Sequence, residues 1–351
     1  MPRFNTALTT IADWTQQIRA HLPHMSLPHA RVLAQWTFGM VTTSSVGLTT
    51  VSAFLAEVYQ KKENTLRQRL REFYREAERK KGRSRRAVDV DACFPGLLRW
   101  VLGLYPKDHQ PIVLAMDTTT LGDRFTVLVI SAVFPGGAIP VAWRVVYGNS
   151  KGAWRPHWEG LFNRLNGIIP HDRQVLVMAD RGLYARWLFD TIVSIGWHPF
   201  LRINHGGTFR RPDETRSWPL TSIVPQIGTE FSGPIVYSKQ SPLSCTLLGH
   251  WEDGYKDPWL VVTDLQPKNA SIGWYGMRCW IECGFKHIKS SGWQWQNTKI
   301  SDAERMERLW LLMAVASIWT QAIGAAGHRA GSVKQGNDKK RPSPEKKTAD
   351  P

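Results

Sequence analysis

Ile112-Val-Leu-Ala-Met-Asp117, followed by Thr118 and Thr119, is the stretch on which the reading of this chain turns. By its length and flanks the apolar run is a buried strand, and it ends in a carboxylate. A second run, Val175-Leu-Val-Met-Ala and then Asp180, repeats the device downstream. A strand that delivers an acid at its end is placing chemistry, because a core needs no carboxylate there.

The segments between and after these runs alternate. Phe125 to Val133 and Ile139 to Val146 are β-rich and joined through Phe134-Pro-Gly-Gly137, which predicts a hairpin. Trp154 to Ile168 predicts an amphipathic helix, Gln174 to Ala179 a strand, Leu183 to Ile195 a helix, and Pro199 to Ile203 a strand. Three meandering strands, then helix, strand, helix, strand, is the order of a ribonuclease-H-like α/β core. From about 204 the alternation breaks into turn clusters such as Gly206-Gly207 and Gly233-Pro234 between β-prone runs. That predicts a β-rich insertion before the strand Trp259-Leu-Val-Val-Thr263, and 102 residues separate Asp180 from Glu282.

Farther on, Tyr275, Arg278, Glu282 and Lys289 predict a single functional helix face. At about 100° per residue their spacing folds onto an arc of roughly 60°. One acid, two cations and a phenol suit a helix that offers a metal ligand while gripping a polyanion. With Asp117 and Asp180 this makes three carboxylates on separate elements, a common way to hold magnesium for phosphate chemistry. Arg278 and Glu282 alone also fit an ordinary surface pair worth a few tenths of a kcal/mol. Gly284 weakens this helix by about 1 kcal/mol relative to alanine, which fits a close backbone approach.

The spacing Tyr-x2-Arg-x3-Glu-x6-Lys resembles the signature helix of the IS4-like family of bacterial DDE transposases. Asp117-Thr118-Thr119 is similar to that family's first catalytic aspartate, and Asp180-Arg181 to its second. The likeness runs from about 111 to 310. It implies a DNA transposase of an insertion sequence that recognises terminal inverted repeats and performs cleavage and strand transfer. Asp117, Asp180 and Glu282 are then the catalytic and metal-ligating residues for two Mg²⁺ ions, with Mn²⁺ an expected substitute. The resemblance also implies hairpin ends, with Trp259 against a flipped base and Trp251 a weaker candidate for the same role. A homodimer bridging two element ends and a target duplex is implied as well. Arg278, Lys289 and Tyr275 are expected on DNA phosphates, with Thr118 and Thr119 fixing the site or touching phosphate. His157 and Trp158 are expected near the site on weaker grounds.

Charge points the same way. The 351 residues carry 45 Lys+Arg against 29 Asp+Glu, a net of +16, which favours an acidic polymer as partner. Lys61 to Arg86 alone holds twelve cations and four glutamates. Helices are expected at Ala7 to Leu22, Ala30 to Phe38, Val46 to Tyr59 and Thr65 to Lys80. In the last of these, Arg67, Arg71, Arg75 and Arg79 recur every fourth residue, a stripe suited to a DNA backbone. A solvated helix held by Glu72, Glu76 and Glu78 is the plainer alternative. The expected layout is 1–90 helical and DNA-binding, 91–204 and 259–325 catalytic core, 205–258 β-rich insertion, and 326–351 a disordered basic tail, after a helix from Asp302 to Ala322.

Four scattered cysteines indicate a reduced, cytoplasmic protein, nucleoid-associated when bound to DNA. No apolar run approaches the ~18 residues of a membrane span. Cys279, Cys283 and His287 share helical spacing, but with no fourth ligand a zinc site is not expected. Two other functions compete: a non-catalytic DNA-binding regulator descended from a transposase, and a nuclease on the same fold that only hydrolyses.

Overall fold

The computed structural model describes residues 10–80, 85–105, 111–150 and 154–338, with side chains to 323. Four helices open the chain: α1 (Ile11–His21), α2 (Leu27–Thr43), α3 (Leu48–Tyr59) and α4 (Glu63–Tyr74). After α5 (Phe94–Leu102) come β1 (Ile112–Leu121), β2 (Phe125–Phe134) and β3 (Gly137–Tyr147). They are followed by α6 (Arg155–Leu165), β4 (Val175–Ala179), α7 (Arg186–Ser194) and β5 (His198–Arg202). Next are β6 (Thr208–Arg210), β7 (Trp218–Pro219), β8 (Glu230–Tyr237), β9 (Leu243–His250) and β10 (Trp259–Thr263). Helices α8 (Cys279–Lys286) and α9 (Ala303–Asp338) close the chain.

All ten strands form one mixed sheet in the order β3-β2-β1-β4-β5-β10-β9-β8-β6-β7. β1 runs antiparallel to β2 and parallel to β4, and β4 runs parallel to β5. The 205–258 segment pairs into the same sheet through β9 and β10. Because side chains alternate across a strand, the sheet supports two apolar layers. Ile112, Leu114 and Met116 face the larger core with Val175, Val177 and Ala179. Val113 and Ala115 face the opposite layer with Leu176, Met178, Tyr275 and Ile281. β2 is buried at all ten residues, as a strand covered on both faces must be.

The larger core is continuous from the amino-terminal helices into the sheet layer. Trp14 and Phe38 lie over Trp319 of α9, with ring centroids 4.6 and 6.1 Å apart. The middle of α9 is apolar all round, the pattern of a fully enclosed helix. Among the described residues no single helix is long and apolar enough to cross a membrane.

Three expectations change. The helix from Thr65 stops at Tyr74: Arg75 is extended and a 3₁₀ turn, Ala77–Arg79, follows. Arg305 draws the Glu76 carboxylate into a two-pronged pair at 2.7 and 2.8 Å, which overrides helix propensity there. Arg67, Arg71, Arg75 and Arg79 therefore do not form one helical stripe. Arg75 and Arg79 turn to Glu72 and Glu76 instead, at 4.0 and 3.7 Å. Second, α9 continues past 326 to Asp338, since Ala322 to Ala330 is alanine-rich and no proline interrupts it; residues 339–351 of the expected tail lie outside the described residues. Third, the signature segment is not one α-helix. It passes from 3₁₀ (Ile272–Arg278) to α (Cys279–Lys286) to π (His287–Ser291).

Candidate active site

The parallel register brings the two aspartates together. Met116 pairs with Ala179, so Asp117 and Asp180 are the next residues on neighbouring strands, which lie about 4.8 Å apart. Asp117 continues the Val113–Ala115 parity and Asp180 the Leu176–Met178 parity. Both side chains therefore emerge on the face that the 272–291 segment covers.

That segment is seated by two contacts. The Tyr275 hydroxyl donates to the Ala179 carbonyl at 3.3 Å, directly before Asp180. Gly284 lies against β3, where a Cβ would stand 2.8 Å from the Ala138 carbonyl oxygen, so this glycine is a steric requirement.

Arg278 then meets all three acids. Its Nη2 is 2.7 Å from Asp117 Oδ2 and 3.9 Å from Asp180 Oδ2, and its Nη1 is 3.3 Å from Glu282 Oε1. Arg202, at the end of β5, stands 3.9 Å from Asp180 Oδ1. The amides of Thr118 and Arg181 donate to Asp117 Oδ1 and Asp180 Oδ1 at 2.7 and 2.8 Å. Burial pushes the Asp117 carboxyl up. Arg278 and the Thr118 amide pull it down, while Asp180 and Glu282 push it up further. The three acids differ in access: their side chains are 19% exposed at Asp117, 40% at Asp180 and 68% at Glu282.

The donor set is three carboxylates with no sulfur or imidazole, which suits a hard cation such as Mg²⁺. The buried Thr119 hydroxyl beside them has no hydrogen-bond partner. Among the described residues no three His, Cys, Asp or Glu side chains stand close enough to share an ion, because Arg278 occupies the middle. The chemistry of the site fits the ion.

The remaining expected site residues separate into those at the site and those away from it. Lys289 is half-buried in the π turn, and no ion pair among the described residues uses it. Tyr275 is buried and its hydroxyl is engaged, so it positions the segment and does not reach a phosphate. Trp259 is half-buried between Tyr275 and Tyr255, with ring centroids at 5.6 and 5.4 Å. Trp251 donates to the Tyr255 carbonyl at 2.9 Å. Trp158 is buried in the core on the opposite face of the sheet, and its helix takes His157 away from the acids. Cys279 and Cys283 are exposed and free, and His287 packs edge-on against Trp293. Arg202 escaped the sequence reading; its only signal is a cation at the end of a strand neighbouring Asp180.

No protein-family model and no curated protein matches this sequence. Among solved structures the chain is similar to the piggyBac transposase synaptic complex with hairpin DNA, at 10% identity and a TM-score of 0.46. That match covers 94% of this chain and 75% of the other. A likeness at this level is no basis for fold or activity.

Proposed function

We propose that this chain is a DNA transposase with a ribonuclease-H-like core, working through Asp117, Asp180 and Glu282. The observation that carries the reading is the convergence of these three acids, from two parallel strands and a facing helix, within reach of one guanidinium. The strand order and the β1–β4 register support the core assignment. The IS4-like spacing of Arg278, Glu282 and Lys289 supports the family.

In this reading Asp117, Asp180 and Glu282 would hold the Mg²⁺ ions. When bound, the ions activate an attacking oxygen and stabilise a departing one at phosphorus. The protein's own groups prepare that event. The Thr118 and Arg181 amides fix Oδ1 of each aspartate, and Oδ2 of each faces Arg278. Arg278 neutralises the acids in the absence of ions. Displaced, its fork of donors clamps a phosphate beside the cut, with Lys289, two turns beyond Glu282, taking the next. Tyr275 and Gly284 set the height of the segment. Trp259, within the aromatic row beside the site, offers an indole for a base extruded during hairpin formation.

The test is cleavage of duplex DNA bearing the element's ends, with Mg²⁺. Joined products support transposition, nicks without joining support the hydrolytic nuclease, and retention without cutting supports the regulator. Glu282→Ala is expected to abolish cleavage while leaving DNA affinity within a few-fold, and undiminished cleavage removes Glu282 from the ligand set.

A further inference from the structure

A second concave site lies away from the acids, where the amino-terminal helices meet the 294–301 loop. It is a cavity of about 560 Å³, a size typical of ligand sites. One wall is the 45–50 turn and the start of α3; the other is the loop that follows the signature segment. Among the described residues its lining includes Arg67, Lys299 and Arg305 and no carboxylate. Arg305 is spent on Glu76, but Arg67 and Lys299 have no acidic partner among the described residues. The Arg67 Nε is buried and finds no acceptor, an arrangement that costs free energy unless something fills it.

Neutral donors surround these cations. Ser45, Thr49 and Thr50 bring hydroxyls to the rim. The start of α3, a helix of 12 residues, has no capping side chain, so its first amides are free to donate. Both walls are also fixed. Val46 N donates to the Trp293 carbonyl at 2.8 Å, and Trp36 Nε1 donates to the Val46 carbonyl at 3.2 Å. Arg124, in the turn between β1 and β2, holds the Ile300 and Thr298 carbonyls at 2.8 Å each. A prepared concavity with unpaired cations, hydroxyls and amides, and no acid, is chemistry for a phosphate.

We infer that this notch takes a backbone phosphate of duplex DNA, gripped by Arg67 and Lys299 against the start of α3. The inference rests on the DNA-processing reading for its source of phosphate, and a free phosphate ester is the other source of the same chemistry. DNA is favoured by position. The 294–301 wall follows directly on the segment carrying Glu282 and Lys289, and Arg67 in the lining belongs to the basic helix α4 with its further cations Arg69 and Arg71. A strand leaving the acids therefore has a second anchor that ties the amino-terminal helices to the same duplex.

The full chain is titrated with labelled duplex DNA across a range of NaCl concentrations, as wild type, Lys299→Gln, Arg67→Gln and the double variant. Each lost phosphate contact is expected to make log Kd less steep in log salt by about one unit. Lys299 is exposed, so its variant keeps the fold should Arg67→Gln perturb it. Unchanged slopes in both single variants overturn the inference. Thermal shift with inorganic phosphate separates the two sources. A phosphate-dependent rise that the double variant loses, alongside an unchanged DNA slope, assigns the notch to a small phosphate ester and overturns the DNA assignment. Cleavage is measured on the same samples. Wild-type cutting with unchanged slopes sinks this site and leaves the transposase reading standing; altered slopes without any cutting do the reverse.

Discussion

Two arginine-centred clusters in this molecule look alike and differ in their charge balance. Arg144 grips Asp91 at 2.8 Å and Glu307 at 3.3 Å, and Arg164 adds a second cation 3.7 Å from Asp91. The spare capacity of Glu307 is met by the Val145 amide at 3.0 Å. Two acids meet two guanidinium groups, and the cluster closes on itself. Around Arg278 the same two-cation complement, with Arg202, faces three acids, and one of them is 68% exposed. A cluster that ties α9 to β3 needs balance. A cluster that leaves negative charge uncancelled at the end of two parallel strands is where the proposed reading puts a further cation.

The largest expected effect comes from breaking the unbalanced cluster. Asp117→Ala or Glu282→Ala should lower cleavage by about a thousand-fold or more, since coordinated ions supply several kcal/mol of transition-state stabilisation. Mg²⁺ should raise the melting temperature of the wild type and fail to do so in Asp117→Ala, a readout independent of turnover. An equal Mg²⁺ shift in both proteins would make the two arginine clusters equivalent.

Arg144→Met tests the balanced partner. It strands the largely buried Glu307 and should cost on the order of 3 kcal/mol in chemical denaturation, with little change in turnover per folded molecule. Cleavage loss without destabilisation would reverse the roles assigned to the two clusters. Gly284→Ala links fold and site, because its Cβ would meet the Ala138 carbonyl oxygen at 2.8 Å. It should cost about 1–3 kcal/mol and lower cleavage by lifting Glu282; full activity would show that the segment's seating is not critical.

The smallest effect is in acid stability. Burial first, and then the Lys80 charge, hold the His29 imidazole down at about 4 from 6.5. Its neutral form is favoured in the fold, so stability is present above pH 6.5 and is lost as pH falls toward 4. Arg305 hydrogen bonds hold Glu76 down at about 2 from 4.5, so its contribution is lost between those values as pH falls. His29→Gln should remove the upper window and Glu76→Gln the lower. A pH profile that neither variant changes would end this account of the interface between the helices and the core.

Much of the architecture was legible because its cause is local. The five-residue apolar runs before Asp117 and Asp180, and the Pro-Gly-Gly turn between β2 and β3, are strand and hairpin signals whatever surrounds them. The candidate acids were legible because a strand that ends in aspartate is conspicuous. The Arg67–Arg79 stripe misled because its periodicity assumed a helix that the Glu76–Arg305 pair stops, and that partner lies 229 residues away. Tyr275 misled for a related reason: a phenol beside an arginine and a glutamate suits either a phosphate or a backbone carbonyl, and only packing chose Ala179.

Local chemistry alone therefore fixed which segments become strands, where the acids stand along them, and the basic character of the chain. The parallel alignment of β1 with β4, the three successive helical pitches of residues 272–291, and the meeting of three acids at Arg278 belong to tertiary structure. These depend on register, steric fit at Gly284 and charge brought together from distant positions. A linear pattern cannot state such quantities, because they exist only between segments.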